Sequence, residues 1–210
     1  WDSPAYLGCR TVTVVVTHLH ADHVGSLGSL VSYSHLVAGK RVEVVHPLET
    51  VVHHLDLVGI DRAFYAFRKI RMEGFSEIGD GIRLRPLEVE HVPDMTCFGY
   101  VLDDGAERVY FSGDAASIPR AALEGLRSGE IARIYQDTCS RPSAHPSHAS
   151  LDYLARTGSG ACTWTGTAAR SCGAWASAWR RPAAESAPVA GLPPAPAGPQ
   201  APQGRGNCFS

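Results

Sequence analysis

Apolar positions along the chain change rhythm repeatedly, and the elements they predict alternate between strand and helix. Thr11-Val12-Thr13-Val14-Val15-Val16 is β-branched or apolar throughout and apolar on both faces at its end, the pattern of a buried central strand. Beyond it Val24, Leu27, Leu30 and Val31 recur at helical spacing, with Asp22 where a helix could begin. Gly25 and Gly28 weaken that helix on propensity, and their missing side chains would let backbone pack closely beside a site. Arg41 to His46 reads as a short strand. Pro47 then starts a helix with Leu48, Val51, Val52, Leu55 and Val58 on one face and Gly59 as its stop. His53 and His54 fall on that helix as solvated or boundary residues.

The second half continues the alternation. Phe64, Tyr65 and Phe67 lie among basic residues and read as core or edge packing in preference to an aromatic lip over a substrate groove. Gly79-Asp80-Gly81 is a turn, and Ile82–Leu84 with Leu87–Val89 forms a strand running into His91. Phe98–Leu102 and Arg108–Phe111 flank Asp103-Asp104-Gly105, a hairpin signal. Pro119 opens a helix with Ala122, Leu123 and Leu126 inward and an end near Gly129. Ile131–Tyr135 is a strand, and Ser147–Arg156 a helix burying Leu151, Leu154 and Ala155. Strands separated by helices in this way predict a mixed α/β layered fold.

Composition narrows the picture. A chain of 210 residues is one domain by default, with enough length for a sizeable core. A net charge of −2 carries no argument for a nucleic-acid or membrane surface, and no run of 18 apolar residues predicts a membrane span. No initiator Met and no basic-then-apolar leader opens the chain, so no export signal is read and a cytoplasmic location is the default. Six cysteines lack any Cys-x-x-Cys pairing; Cys9 and Cys97 read as small buried hydrophobes.

From Gly158 onward the character changes. Ala, Gly, Pro and Arg dominate residues 158–210, with a single Val and a single Leu. Such a stretch buries too little branched apolar surface to offset its ordering entropy. The domain is therefore expected to span residues 1–157, followed by a low-complexity, disordered tail over 158–210. Those four residue types have GC-rich codons, so the tail is expected to be either an out-of-frame translation or a genuine Pro/Ala-rich extension.

The chemistry is concentrated in Thr17-His18-Leu19-His20-Ala21-Asp22-His23, directly after the first strand. Imidazole nitrogen and carboxylate oxygen are donors that zinc accepts, and a run this dense at a strand end can hold two ions side by side. On extended chain His18 and His20 point to the same side, whereas Asp22 and His23 lie past the bend. The His-x-His-x-Asp-His signature resembles that of the metallo-β-lactamase-fold hydrolases, and Thr-His-Leu-His-Ala-Asp-His-Val-Gly-Ser-Leu is most similar to their ribonuclease Z-like branch. The resemblance covers roughly residues 10 to 156. It implies a four-layer αββα sandwich with a two-metal site along one edge.

The resemblance also assigns residues. It implies that His18, His20 and His91 hold one divalent ion and Asp22 and His23 a second, with Asp114 of Phe111-Ser112-Gly113-Asp114 bridging both. Zinc is the expected ion, with manganese or iron the alternatives. Asp22 would also orient the attacking water. Asp137 with His148 of His148-Ala149-Ser150 resembles the family's acid–histidine pair that protonates the leaving oxygen, although the usual His-Glu is Gln136-Asp137 here. Without that pair, Ser147 or Ser150 would serve as a helix cap. The family's last histidine is expected near residue 170, yet no histidine follows His148, so the second ion is expected to be the weaker. Family members open with two strands before the histidine motif, whereas 17 residues precede His18, so an incomplete sandwich is expected.

The expected function is metal-dependent hydrolysis. The substrate would be a phosphodiester, small-molecule or RNA, with a lactone or other ester as runner-up. The contrasting expectation is a non-catalytic, truncated or frameshifted remnant of such an enzyme. A homodimer is expected if the parent domain is complete, and no membrane partner.

Overall fold

The structure, a computed structural model, describes residues 3–139 and 147–157 together with the backbone of 162–166. In chain order the elements are α1 (Pro4–Gly8), β1 (Thr11–Val15), α2 (Ala21–Val24), α3 (Leu27–Ser32) running into a π-helical turn (Tyr33–Val37), and β2 (Arg41–His46). Next come α4 (Thr50–Leu57), a 3-10 turn (Arg62–Phe64), β3 (Ala66–Lys69), β4 (Ser76–Gly79), β5 (Ile82–Val89), β6 (Cys97–Asp103) and β7 (Arg108–Phe111). The last are α5 (Arg120–Ser128), β8 (Arg133–Cys139), β9 (Ala149–Ser150), α6 (Leu151–Arg156) and β10 (Cys162–Gly166).

The strands form two sheets. One runs β1-β2-β3, all parallel. The other runs β10-β8-β7-β6-β5-β4, with β9 also paired to β8; its β4-β5-β6-β7 portion is an antiparallel meander. Period-two alternation sorts side chains into layers. Val42 and Val44 of β2 face α2–α4 and meet Val24, Leu27, Val31, Val51 and Leu55. Val45 faces the other way and meets Leu84, Phe98 and Tyr100 between the sheets. On the far face of the second sheet Val101, Tyr110 and Ile134 pack against Ala122, Ile131 and Leu154. Helices, sheet, sheet and helices therefore stack in the αββα order.

Several expected elements shift. β1 is the edge strand of its sheet, because among the described residues β2 is its sole neighbour; a Val-rich strand reads as central whether one edge or both are paired. The first helix starts at Ala21 and breaks at Gly25–Ser26, where a Cβ on Gly25 would stand 2.4 Å from the Ala21 carbonyl oxygen. Gly28 makes room for Ile60, so neither glycine packs against the site. The helix expected from Pro47 starts at Thr50, and the strand expected at Ile131 starts at Arg133, Ile131 being core between α5 and the sheet. Ala149–Ser150 forms β9, so the following helix is short; Leu154 is buried while Leu151 and Ala155 are exposed. Cys97 is buried but Cys9 only half-buried. Phe64, Tyr65 and Phe67 pack against the first core layer, as expected.

The hairpin across Asp103–Arg108 matches, as does α5 with Gly129 closing it at φ 79°. His53 is exposed and His54 half-buried. No helix among the described residues is long and apolar enough to cross a membrane. β10 lies in the stretch expected to be tail; the rest of 158–210 lies outside the described residues.

Candidate metal centre

The C-terminal ends of β1, β5, β7 and β8 meet at one edge of the sandwich, and each delivers polar side chains there. The histidine loop after β1 is stitched to the second sheet by the Phe98 N–H donating to the Thr17 carbonyl (3.0 Å) and the Tyr100 hydroxyl to the Val16 carbonyl (2.6 Å). The turn after β7 needs Gly113, whose φ is 58° and where an added Cβ would stand 2.9 Å from Thr17 Cγ2. That turn presses Asp114 against the end of β1. Ala116 N–H to the Glu90 carbonyl (2.7 Å) and Ala149 N–H to the Ala115 carbonyl (2.9 Å) tie the His91 and His148 loops to the same place.

At the centre His20 Nδ1 lies 3.1 Å from both His18 Nε2 and His91 Nε2. One ring nitrogen carries either one proton or one lone pair, so His20 Nδ1 must share a single proton or lone pair between two neighbours, a weak arrangement for each. A cation accepting all three nitrogens removes the need to share, and that donor chemistry fits a divalent ion such as zinc. His23 Nε2 stands 3.3 Å from Asp114 Oδ2 and 3.6 Å from Asp22 Oδ2, and His91 Nε2 is 3.7 Å from Asp114 Oδ2. Three groups place their ligand atoms within 4.8 Å of one another: His18–His20–His91, His18–His23–Asp114 and His91–Asp114–His148.

Outer contacts orient the rings. His91 Nδ1 meets the Ser147 carbonyl at 2.9 Å, which requires Nδ1 to carry the proton and leaves Nε2 as the donor atom. The Thr17 hydroxyl oxygen stands 3.1 Å from His18 Nδ1 and can play the same part. His148 Nδ1 hydrogen-bonds Asp137 Oδ2. The Asp137 backbone N–H donates to the Ser112 hydroxyl at 2.9 Å, fixing the start of that pair.

Burial pushes the His18 imidazole down to about 4, with the nearby His23 ring adding to the effect. The ring is thus neutral near pH 7, the state a ligand needs. His23 moves up, chiefly through its hydrogen bond with Asp114. Burial alone would raise the Asp114 carboxyl, but His23's hydrogen bond and the surrounding imidazoles carry it below its ordinary value. Burial raises Asp137 against the opposing bond from His148.

The structure brings together His18, His20, His23, His91 and Asp114, and places Asp137 and His148 in contact beside them. Asp22 is peripheral: its side chain is 77% exposed and it belongs to none of the three groups. Ser150 caps α6 by accepting from the Tyr153 N–H at 3.0 Å, so the cap and the Asp137–His148 contact coexist. Sequence reasoning missed Thr17, the Ser147 carbonyl and Met95, whose sulfur accepts from the Leu19 N–H at 3.3 Å between two of the histidines. The first adjoins the motif and could have been suspected; the other two had no signal. His145, the other histidine of that loop, lies outside the described residues.

A model of the beta-lactamase superfamily domain matches residues 9–166. The Anti-Pycsar protein Apyc1 of Paenibacillus harenae is 25% identical over 152 residues, covering 67% of this chain and 61% of its own length. The chain thus spans about three fifths of that relative. Among solved structures, the metallo-beta-lactamase fold protein YhfI from Bacillus subtilis superposes with a TM-score of 0.57 at 15% identity, covering 73% of this chain and 63% of that one. A diphosphatase from the PhnP family gives 0.53 at 24% identity, covering 75% and 61%. The short form of human tRNase Z gives 0.53 at 14%, covering 74% and 73%. These likenesses establish the shared fold.

Proposed function

The chain belongs to the beta-lactamase superfamily, and from that premise we propose that it is a two-metal hydrolase acting on a phosphodiester. The observation that carries the metal dependence is the trio His18, His20 and His91, whose nitrogens crowd to 3.1 Å with a single proton or lone pair of His20 Nδ1 shared between two neighbours. His18, His20 and His91 would hold one ion and His23 would contribute to a second, with the Asp114 carboxylate near both donor sets. Bound divalent ions would supply a nucleophilic water near neutral pH and polarise the scissile group. Asp22, exposed at the mouth of the site, is free to turn one carboxylate oxygen toward that water and fix its orientation. The Asp114 carboxylate places a negative charge between the two donor sets and would attract a cation at either.

The phosphodiester assignment rests on the wording of the Thr17–Leu27 segment, which is ribonuclease Z-like. It is supported by fold relatives that include a tRNase Z and a diphosphatase. Bis(p-nitrophenyl) phosphate and phenyl lactone hydrolysis, each with added zinc, manganese or iron, test it. Zinc- or manganese-dependent cleavage of the diester is expected. Metal-dependent cleavage of the lactone alone would move the substrate class to esters, and a folded chain inert to both would support the remnant.

A further inference from the structure

One donor group is left over by this assignment. His91, Asp114 and His148 gather their ligand atoms within 4.8 Å of one another, as do the other two groups. An imidazole nitrogen has one lone pair and serves one ion, whereas a carboxylate has two oxygens and can be shared. Once His18, His20 and His91 hold one ion, the donors remaining in the other groups are His23, Asp114 and His148. We propose that these three residues form the protein's half of the second ion site, with His148 a metal ligand through Nε2. The proposal rests on the metal-dependent reading of the centre and replaces the proton-donor role that the sequence suggests for His148.

The wiring of the ring supports it. His18 and His91 each hold Nδ1 against an oxygen and turn Nε2 toward His20, and His148 likewise holds Nδ1 against Asp137, which leaves Nε2 as its donor atom. A carboxylate behind Nδ1 fixes the tautomer and makes Nε2 a stronger donor, the arrangement of a carboxylate–histidine–metal unit. The His148 ring lies 5.1 Å from that of His91, matching the 5.0 Å by which His91 is separated from both His18 and His20. Its backbone is fixed, because Ala149 bonds Ala115 and pairs with Thr138 in the sheet. Asp22, the alternative third donor, is the most exposed group of the set. The ion class is one that accepts two nitrogens and a carboxylate oxygen, namely zinc, manganese or iron(II).

The full-length chain, stripped of metal and titrated with zinc or cobalt(II) against a competing chelator, tests this. The wild-type chain should take up two ions, the second more weakly. His148→Ala should weaken the second ion at least tenfold and leave the first within about twofold. Asp137→Asn should weaken the second by roughly tenfold through the ring it orients. His148→Gln, which keeps the bulk, repeats the measurement should the alanine variant fail to fold. In wild-type protein, histidine-ring nitrogen spectra should show His148 Nε2 shifting with the second equivalent of zinc. Unchanged affinity for both ions in a folded His148 variant, or an unmoved Nε2 resonance, would overturn the proposal while leaving the metal centre intact. A wild-type chain that takes up no ion would overturn the metal-dependent reading itself.

Discussion

The two ends of the second sheet treat charge in opposite ways. At the end formed by the Asp103–Arg108 hairpin, the buried Asp103 carboxylate accepts from Arg83 and Arg108 at 2.7 Å each and from the Gly105 N–H at 2.9 Å. Arg108 also reaches Glu130, Arg133 pairs with Glu107, and the guanidinium groups of Arg83, Arg85 and Arg108 lie 5.1–5.4 Å from the Phe75 ring. The buried Asp103 carboxylate there is matched by two guanidinium groups of opposite sign. At the other end three imidazoles crowd together with no carboxylate between them, and two carboxylates stand nearby. Similar numbers of polar groups thus produce a closed network at one end and an open one at the other. The open one is the one that calls for a ligand.

The comparison breaks most visibly in activity. Asp114→Ala is expected to cut metal-dependent diester turnover by at least about a thousandfold, roughly 4 kcal/mol of barrier, while the metal-free chain loses only the modest stability of the His23–Asp114 hydrogen bond. An equal fall in thermal stability would mean that Asp114 is structural. The mirror experiment is Asp103→Ala, which removes the shared acceptor of two partly solvated arginines and should cost on the order of 1–2 kcal/mol of folding stability without changing turnover of the folded chain. Urea denaturation reads that directly, and a drop in turnover would erase the distinction between the ends.

Acidification separates them more finely. His18 sits near 4 in the fold against 6.5 when unfolded, so between those values the unfolded chain binds the extra proton and metal-free stability falls as pH drops. His46, lowered by burial, acts in the same direction. His23, raised by Asp114, works oppositely: its contribution is full below 6.5 and fades as pH rises through its folded value. The large shift at His18 decides the sign. Asp103 is also lowered, its burial outweighed by Arg108, so its loss begins only below the ordinary carboxylate value of 3.8. Melting curves of the metal-free chain should therefore decline first between about 6.5 and 4. That first decline should be smaller in His18→Gln, and a curve flat above pH 4 would contradict the assignment. The smallest effect belongs to a pair outside both ends: Arg120→Ala, which loses the exposed bond to Glu124, should leave the urea midpoint unchanged within error.

What the sequence could show follows from where each signal resides. The His18–His23 motif and the turn at Gly113–Asp114 are local, since consecutive residues carry both the donors and the bend that presents them. β2, β5 and the β6–β7 hairpin were legible for the same reason, through alternation and turn residues close at hand. The edge position of β1 was not, because pairing is a property of distant strands and Val-rich sequence is silent about how many it meets. Met95 and the Ser147 carbonyl were hidden because a thioether and a main-chain oxygen have no motif; only the packing of the loops after β5 and β8 brings them to the histidines. Leu151 and Ala155 misled because a helix of six residues after β9 buries one position where a longer one would bury three.

The central claim is that the histidine–aspartate edge is built around cations. Its most direct test is elemental analysis of the full-length chain after saturation with zinc and dialysis at pH 7.5 against metal-free buffer, alongside His18→Ala/His91→Ala. The wild-type chain should retain at least one zinc per molecule and the double variant, still folded by circular dichroism, essentially none. A folded wild-type chain that retains no zinc, manganese or iron after the same saturation, or a double variant that keeps the wild-type content, would contradict it.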